Sequence, residues 1–246
     1  MTRRVLIGML TPSSNTVLEP VTAAMLADLP EVSAHFGRFR VTEISLREGA
    51  LGQFDLPPIL AAARLLADAR VDVIAWNGTS SGWLGFDADD ALCAAITQET
   101  GIASTTSVLA LNEVMRDTGA TRFGLVTPYL HDVQARVVDT YTRAGFECLA
   151  ERHLNDTGNF SFSEVTAEQI TAMVREVAAA SPACITTFCT NLRAAPLVAA
   201  LEREVGVPIY DTISVVVWKA LRMAGVDTTR VRGWGRLFDS AGAVGA

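Results

Sequence analysis

The chain repeats itself. Val5-Leu6-Ile7-Gly8-Met9-Leu10-Thr11-Pro12 and Arg122-Phe123-Gly124-Leu125-Val126-Thr127-Pro128-Tyr129 are both short apolar runs that stop at Thr-Pro. Each opens a half in which similar elements follow in the same order. The first half reads as a helix over 18–29, a strand over 39–44, a long loop over 49–58, a helix over 60–69, a strand over 71–76, a helix over 87–99, a strand over 101–106 and a helix over 108–118. The second reads as a helix over 131–144, a strand over 146–152, a polar loop over 155–159, a helix over 166–180 opened by Thr166 and Glu168, a strand over 183–188, a helix over 192–205, a strand over 206–211 and a helix over 214–224. Apolar strands alternating with helices predict parallel sheets covered on both faces. The expectation is an α/β fold of two pseudo-symmetric three-layer lobes, with mostly parallel sheets and a cleft between them. The first lobe takes 1–119, the second 120–207, and the segment 208–246 is free to cross back to the first.

In open α/β sheets, ligands bind outside the carboxyl ends of the strands. The stretch Val71-Asp72-Val73-Ile74-Ala75-Trp76 is a buried strand that breaks into Asn77-Gly78-Thr79-Ser80-Ser81-Gly82. Backbone N–H groups and hydroxyls crowd together there, which suits an anion such as a carboxylate. The same glycines also permit a plain tight turn. After the first strand, Ser13, Ser14, Asn15 and Thr16 are candidate N-caps, and Asn15 stands at a positive helix terminus that favours anions. In the second half, Ala183-Cys184-Ile185-Thr186-Thr187-Phe188 is the counterpart of the strand at 71–76, and Cys189-Thr190-Asn191 stands where the first half has Gly78-Thr79-Ser80. A cleft between facing lobes would collect Asn15, Gly78, Thr79, Ser80, Tyr129, Asn159, Cys189 and Thr190. Most of these are neutral hydrogen-bond donors, suited to a small carboxylate or dicarboxylate.

Composition removes several classes of function. A net charge of −7 with a pI near 5.0 argues against a nucleic-acid partner. No apolar run approaches the roughly 20 residues that span a bilayer. The start MTRRVLIGML has too short an apolar stretch for a secretory signal and no cleavage site follows, so a cytoplasmic location is expected. The three histidines (His35, His131, His153) and four cysteines (Cys93, Cys148, Cys184, Cys189) show no metal-ligand spacing, so no metal and no cofactor are expected. Half of the residues are hydrophobic, which leaves room for a homo-oligomeric interface.

Among titratable groups, Cys189 is the strongest candidate for proton transfer or nucleophilic attack. It is predicted to end a strand just before a helix, and a free thiol titrates near pH 8.5. Cys93, Cys148 and Cys184 sit at no strand's carboxyl end and read as structural. Tyr129 follows Pro128 at a strand end and is placed to bind a carboxylate or to pack. His131-Asp132 has the look of a catalytic dyad but reads as a helix start. Trp76, Trp83 and Trp218 read as core or cleft wall.

Taken in order, Thr11-Pro12-Ser13-Ser14-Asn15-Thr16, Gly78-Thr79-Ser80, Thr127-Pro128-Tyr129, Asn159, Cys189 and Gly233-Trp234-Gly235-Arg236-Leu237-Phe238-Asp239 resemble the Asp/Glu racemase superfamily, and within it the group of arylmalonate decarboxylase and maleate cis-trans isomerase. The resemblance spans nearly the whole chain. It implies a cofactor-independent enzyme acting at the carbon next to a carboxylate. Racemases and isomerases of the superfamily carry one cysteine per lobe, whereas here the first-lobe position is Gly78. Two-base chemistry needs an acid/base on each face of the carbon, and hydroxyls at Thr79 or Ser80 are too weakly acidic to serve. The resemblance therefore implies a decarboxylase of the arylmalonate type. In it, Thr79, Ser80, Tyr129 and the Thr190 N–H would hold an enediolate and Cys189 would protonate it. The same comparison implies that a thiol added by Gly78→Cys introduces racemisation.

Two features resist the decarboxylase reading. Asn15 and Asn159 resemble the carboxylate-binding asparagines of maleate isomerases, and Thr190-Asn191 follows the cysteine where the decarboxylases have glycine. Relatives with a Gly-Thr-Ser loop also occur among proteins of ectoine breakdown. Three readings thus stand side by side: a decarboxylase, a cis-trans isomerase or racemase using one cysteine, and a carboxylate-binding protein without turnover.

Overall fold

The two halves fold alike because each supplies the same strands in the same order. The computed structural model describes residues 3–239. Its first sheet contains β1 (Val5–Pro12), β2 (Val32–Phe39), β3 (Val73–Trp76) and β4 (Ser104–Thr106), all parallel, in the order β2-β1-β3-β4. The second contains β5 (Arg122–Thr127), β6 (Glu147–His153), β7 (Cys184–Thr187) and β8 (Ile209–Asp211), also parallel, in the order β6-β5-β7-β8. The central strands β3 and β7 are buried along their whole length, as parallel strands covered by helices must be.

The helices are α1 (Leu18–Met25), α2 (Glu48–Leu51), α3 (Leu56–Asp68), α4 (Ser81–Leu84), α5 (Asp87–Thr100) and α6 (Ser107–Asp117) in the first half. The second half has α7 (His131–Arg143), α8 (Ala167–Ala178), α9 (Val198–Val205) and α10 (Thr212–Met223). Nearly all of α10 is buried, from Thr212 through Trp218 and again at Ala220 and Leu221. A helix apolar on all sides has to be surrounded. Although α10 leaves β8 in the second sheet, it packs on α6, α1, β3 and β4, which joins the halves. Residues 240–246 of the segment 208–246, and residues 1–2 of the MTRR start, lie outside the described residues.

Three expected elements are placed differently, one of them the loop over 49–58, which is largely helical: it holds most of α2, a 3-10 turn over Gly52–Phe54 and the start of α3. The second strand is Val32–Phe39, not 39–44. This edge strand pairs only with β1, and much of it is half-exposed, so it lacks the apolar signature of a buried strand. Val41 and Ile44 are apolar for another reason: they are buried in a loop at the cleft. The helix expected over 192–205 begins as a 3-10 turn, Ala195–Leu197, and is α-helical only over Val198–Val205. Pro196 explains this, since proline is tolerated in the first turn of a helix but not farther in. His131 is the first residue of α7, as read, and Thr166 caps α8 through a capping box closed by Gln169 rather than Glu168.

Each lobe buries one aspartate beside its last strand: Asp211 ends β8, and Asp89, in the first turn of α5, meets the end of β4 through Thr106. Asp211 caps α10, accepting from Ile213 N–H at 2.9 Å and Ser214 N–H at 3.3 Å, while Thr187 Oγ1 donates to its other oxygen at 2.7 Å. Asp89 accepts from Ser81 Oγ at 2.8 Å and from the Thr106 hydroxyl. Burial pushes both carboxyls up to about 6, against these hydrogen bonds. The folded protein therefore holds these protons more tightly than the unfolded chain between the ordinary carboxyl range and pH 6. Stability from each falls as pH rises through that window and is lowest above it. Replacing Asp89 by Asn should thus look more favourable at pH 7 than at pH 4, by up to about 3 kcal/mol in denaturant unfolding, at about 1.4 kcal/mol per unit of displacement. An equal effect at both pH values would contradict the burial argument.

Candidate active site

The carboxyl ends of β3 and β7 turn toward each other because their loops are cross-linked. Thr190 Oγ1 donates to the Asn77 carbonyl at 3.0 Å. Asn15 Nδ2 donates to the Thr190 carbonyl at 3.1 Å and lies 3.2 Å from its hydroxyl oxygen, while Asn15 Oδ1 accepts from the N–H groups of Val17 and Leu18, both at 2.9 Å. Asn191 Nδ2 donates to the Asn159 carbonyl and its Oδ1 accepts from Thr16 N–H at 3.0 Å. Asn159 Nδ2 reaches Ser14 Oγ at 2.8 Å. Loop 42–45 pairs with loop 157–159 through Ile44 N–H to the Thr157 carbonyl (3.1 Å), Asn159 N–H to the Thr42 carbonyl (3.3 Å) and a Glu43–Gly158 bridge. Most of these bonds join the two lobes and hold them together across the cleft.

That cleft is partly open, its space together with the adjoining solvent amounting to about 300 Å³. Its polar side is made by Gly78, Thr79, Ser80, Tyr129, Asn159, Cys189 and Thr190, and its apolar side by Pro12, Val41, Ile44, Phe54, Trp76 and Trp83. All of the residues expected at the site therefore meet there except Asn15. It stands one layer back, holding Thr190 and capping the start of α1.

Thr79 Oγ1 and Tyr129 Oη are 2.6 Å apart. Among the described residues, the backbone N–H groups of Thr79, Ser80 and Thr190 have no protein acceptor. Unpaired N–H groups are rare in folded proteins, and these belong to residues that line the cleft, where a ligand oxygen can accept from them. Cys189 is 3 % exposed. Burial pushes its thiol up to about 12, although the Asn191 N–H, the Tyr129 hydroxyl and the Leu192 N–H all point at the sulfur and favour the thiolate. At neutral pH Cys189 is a protonated thiol. Burial, then the nearby Cys189, also raises Tyr129 well above the ordinary phenol range, so its hydroxyl is available as a donor. The other three cysteines stand apart: Cys93 on α5, Cys148 in β6 and Cys184 at the start of β7.

Sequence reasoning names Trp76 and Trp83 as core or cleft wall, and both line the cleft, but it misses the rest of the apolar side. Val41 and Ile44 were read as strand residues, and Phe54 lay in a loop with no pattern. Its ring meets Trp83 edge-on at 5.8 Å, and Trp83 meets Tyr129 edge-on at 5.5 Å. Asn191 was also missed as a positioning residue. Its signal would have been its place directly after the Cys189-Thr190 pair. Among the described residues no group of three or more His, Cys, Asp or Glu side chains could hold a metal ion, and no helix is long and apolar enough to cross a membrane.

A family model described as arylmalonate decarboxylase matches residues 8–238. The chain belongs to the arylmalonate decarboxylase family. It is similar to the arylmalonate decarboxylase of Bordetella bronchiseptica, at 29% identity over 96% of this chain and 97% of that protein. It is also similar to the maleate isomerase of Nocardia farcinica, at 27% identity over 98% of each. The structure of the Nocardia maleate cis-trans isomerase bound to TRIS superposes with a TM-score of 0.86 at 26% identity, covering 95% of this chain and 97% of that one. A cysteine-to-serine variant of that isomerase, which carries a covalently bound succinylcysteine intermediate, gives 0.82 at 26% identity, covering 95% and 98%. The expected two-lobed, Asp/Glu racemase-like α/β fold is the fold found. The relatives named are a decarboxylase and an isomerase.

Proposed function

We propose that the chain is a cofactor-independent decarboxylase of malonate-type or other small dicarboxylates, with Cys189 as its single acid. The observation that carries this reading is a protonated thiol sharing one cleft with a glycine at the matching strand end of the other lobe. One carboxylate of the substrate rests on the Thr79 and Tyr129 hydroxyls and on the N–H groups of Thr79, Ser80 and Thr190. The other carboxylate lies against the apolar wall, where it loses hydration. The bond between the α-carbon and that carboxylate breaks, its electron pair enters the retained carboxylate as an enediolate, and carbon dioxide leaves. Cys189 Sγ–H then gives its proton to the α-carbon, and the thiolate takes a proton back from water. Fixed donors aimed at developing charge are commonly the largest catalytic term.

A cis-trans isomerase is the second reading. It is favoured by Asn159 in the cleft lining and by the likeness to the Nocardia enzyme. That chemistry wants a thiolate to add to the double bond, and burial of Cys189 works against it. Incubation in deuterated water with substituted malonates, phenylmalonate and maleate, followed by proton NMR, separates the readings. The expected result is loss of carbon dioxide with one deuterium delivered stereoselectively. Conversion of maleate to fumarate, or α-exchange without carbon loss, would replace the decarboxylase with an isomerase or racemase. Ligand-induced melting shifts with no turnover would leave a binding protein.

A further inference from the structure

Side chains two apart on a strand share a face. Trp76 and Gly78 are such a pair at the end of β3, and the indole lies along the strand over the glycine. A Cβ on Gly78 would stand 2.7 Å from Trp76 Cη2 and closer still to Cζ2 and Cε2. The indole has nowhere obvious to go: Trp76 is 1 % exposed, and Phe39 packs on it with ring centroids 4.9 Å apart. The second lobe is built the other way. Trp76 pairs with Leu10 and Thr187 with Val126, each directly before a Thr-Pro, so Thr187 is the counterpart of Trp76 and Cys189 of Gly78. Thr187 is small, and its hydroxyl is turned away to Asp211 at 2.7 Å. The space beside Cys189 is therefore left for the thiol, while the space beside Gly78 is filled by a ring.

We propose that Trp76 is the specificity-determining residue of this site. Its indole fills the volume a second acid/base would need at position 78 and walls that face of the substrate with carbon, so protons reach the reacting carbon only from the Cys189 side. The catalytic half of this proposal rests on the decarboxylase reading. It also corrects the simple expectation for Gly78→Cys, since the indole stands where that thiol would go.

The test is a cycle of Gly78→Cys, Trp76→Thr and the double variant, with Thr copied from the matching position of the other lobe. Two readouts are taken on the full chain: the melting temperature, and deuterium exchange at the α-carbon of a chiral 2-substituted carboxylate in deuterated water. Gly78→Cys alone should lower the Tm by about 5 °C or more, as overpacking of a core does, and should show no gain in exchange. The double variant should melt above the value expected from adding the two single shifts, and should exchange at least ~10-fold faster than wild type. Additive melting shifts, or exchange gained by Gly78→Cys alone, would overturn the proposal. So would a double variant that releases carbon dioxide from a malonate but gains no exchange. A wild-type protein inert on every malonate and dicarboxylate would instead overturn the decarboxylase reading, and the melting cycle would then decide the steric claim by itself.

Discussion

Replacing Cys189 by alanine should lower kcat for decarboxylation by about 10³-fold, within the range general acids supply, while the protein keeps its fold. The reason lies in the surroundings of the sulfur. Cys189 is buried, and burial holds it as a thiol far above neutral pH. The thiol is the one acidic hydrogen in the lining that is weakly enough held to be transferred and strongly enough held to be present. A serine in its place keeps the shape but offers a much weaker acid, so Cys189→Ser should fall close to Cys189→Ala. The melting temperatures of both variants should stay near that of the wild type, because the Asn15–Thr190 and Asn191–Asn159 links that position the loop do not pass through the sulfur. A further readout follows from the thiol's position: kcat should not decline between pH 7 and 9. A decline with an apparent pKa near 8.5 would mean that the thiol titrates as an exposed cysteine does. Retained turnover in Cys189→Ala would remove the thiol from the mechanism.

The second large effect is expected at the donors. Thr79→Val and Tyr129→Phe should each reduce kcat by about 10²-fold, the scale seen when one oxyanion donor is removed. The two hydroxyls are 2.6 Å apart, so each orients the other. Their effects should therefore fall short of multiplying: the double variant should lose little beyond the worse single one, as groups acting as a unit do. Independent effects that multiply in full would mean that the hydroxyls serve different oxygens. Tyr129→Phe should also alter the cysteine, since the Tyr129 hydroxyl is one of the groups favouring the Cys189 thiolate. Without it the thiol should react still more slowly with a maleimide at high pH.

Much of this was legible in the chain because the same signals occur twice. Strand–Thr–Pro at Leu10-Thr11-Pro12 and Val126-Thr127-Pro128 places both lobes in register, and the alignment of Gly78-Thr79-Ser80 with Cys189-Thr190-Asn191 sets the glycine against the thiol. Buried parallel strands such as β3 and β7 announce themselves by unbroken apolar runs. Edge strand β2 does not, because a half-exposed strand has no strong apolar period, whereas the cleft loop after it carries the buried Val41 and Ile44.

Local order in sequence also determined that Cys189 stands just beyond a strand's carboxyl end and that Tyr129 follows a Thr-Pro. Only the tertiary structure decided what those groups touch. The protonation of Cys189 depends on its burial. The retreat of Asn15 to a supporting layer depends on Thr190, far away in the chain. The ring over Gly78 depends on the direction in which one indole lies, and a strand's period of two says only that Trp76 and Gly78 share a face. Periodicity is a property of neighbours along the backbone, so a sequence carries it openly. Burial, orientation and hydrogen-bond satisfaction belong to groups brought together from distant positions, and folding alone sets them.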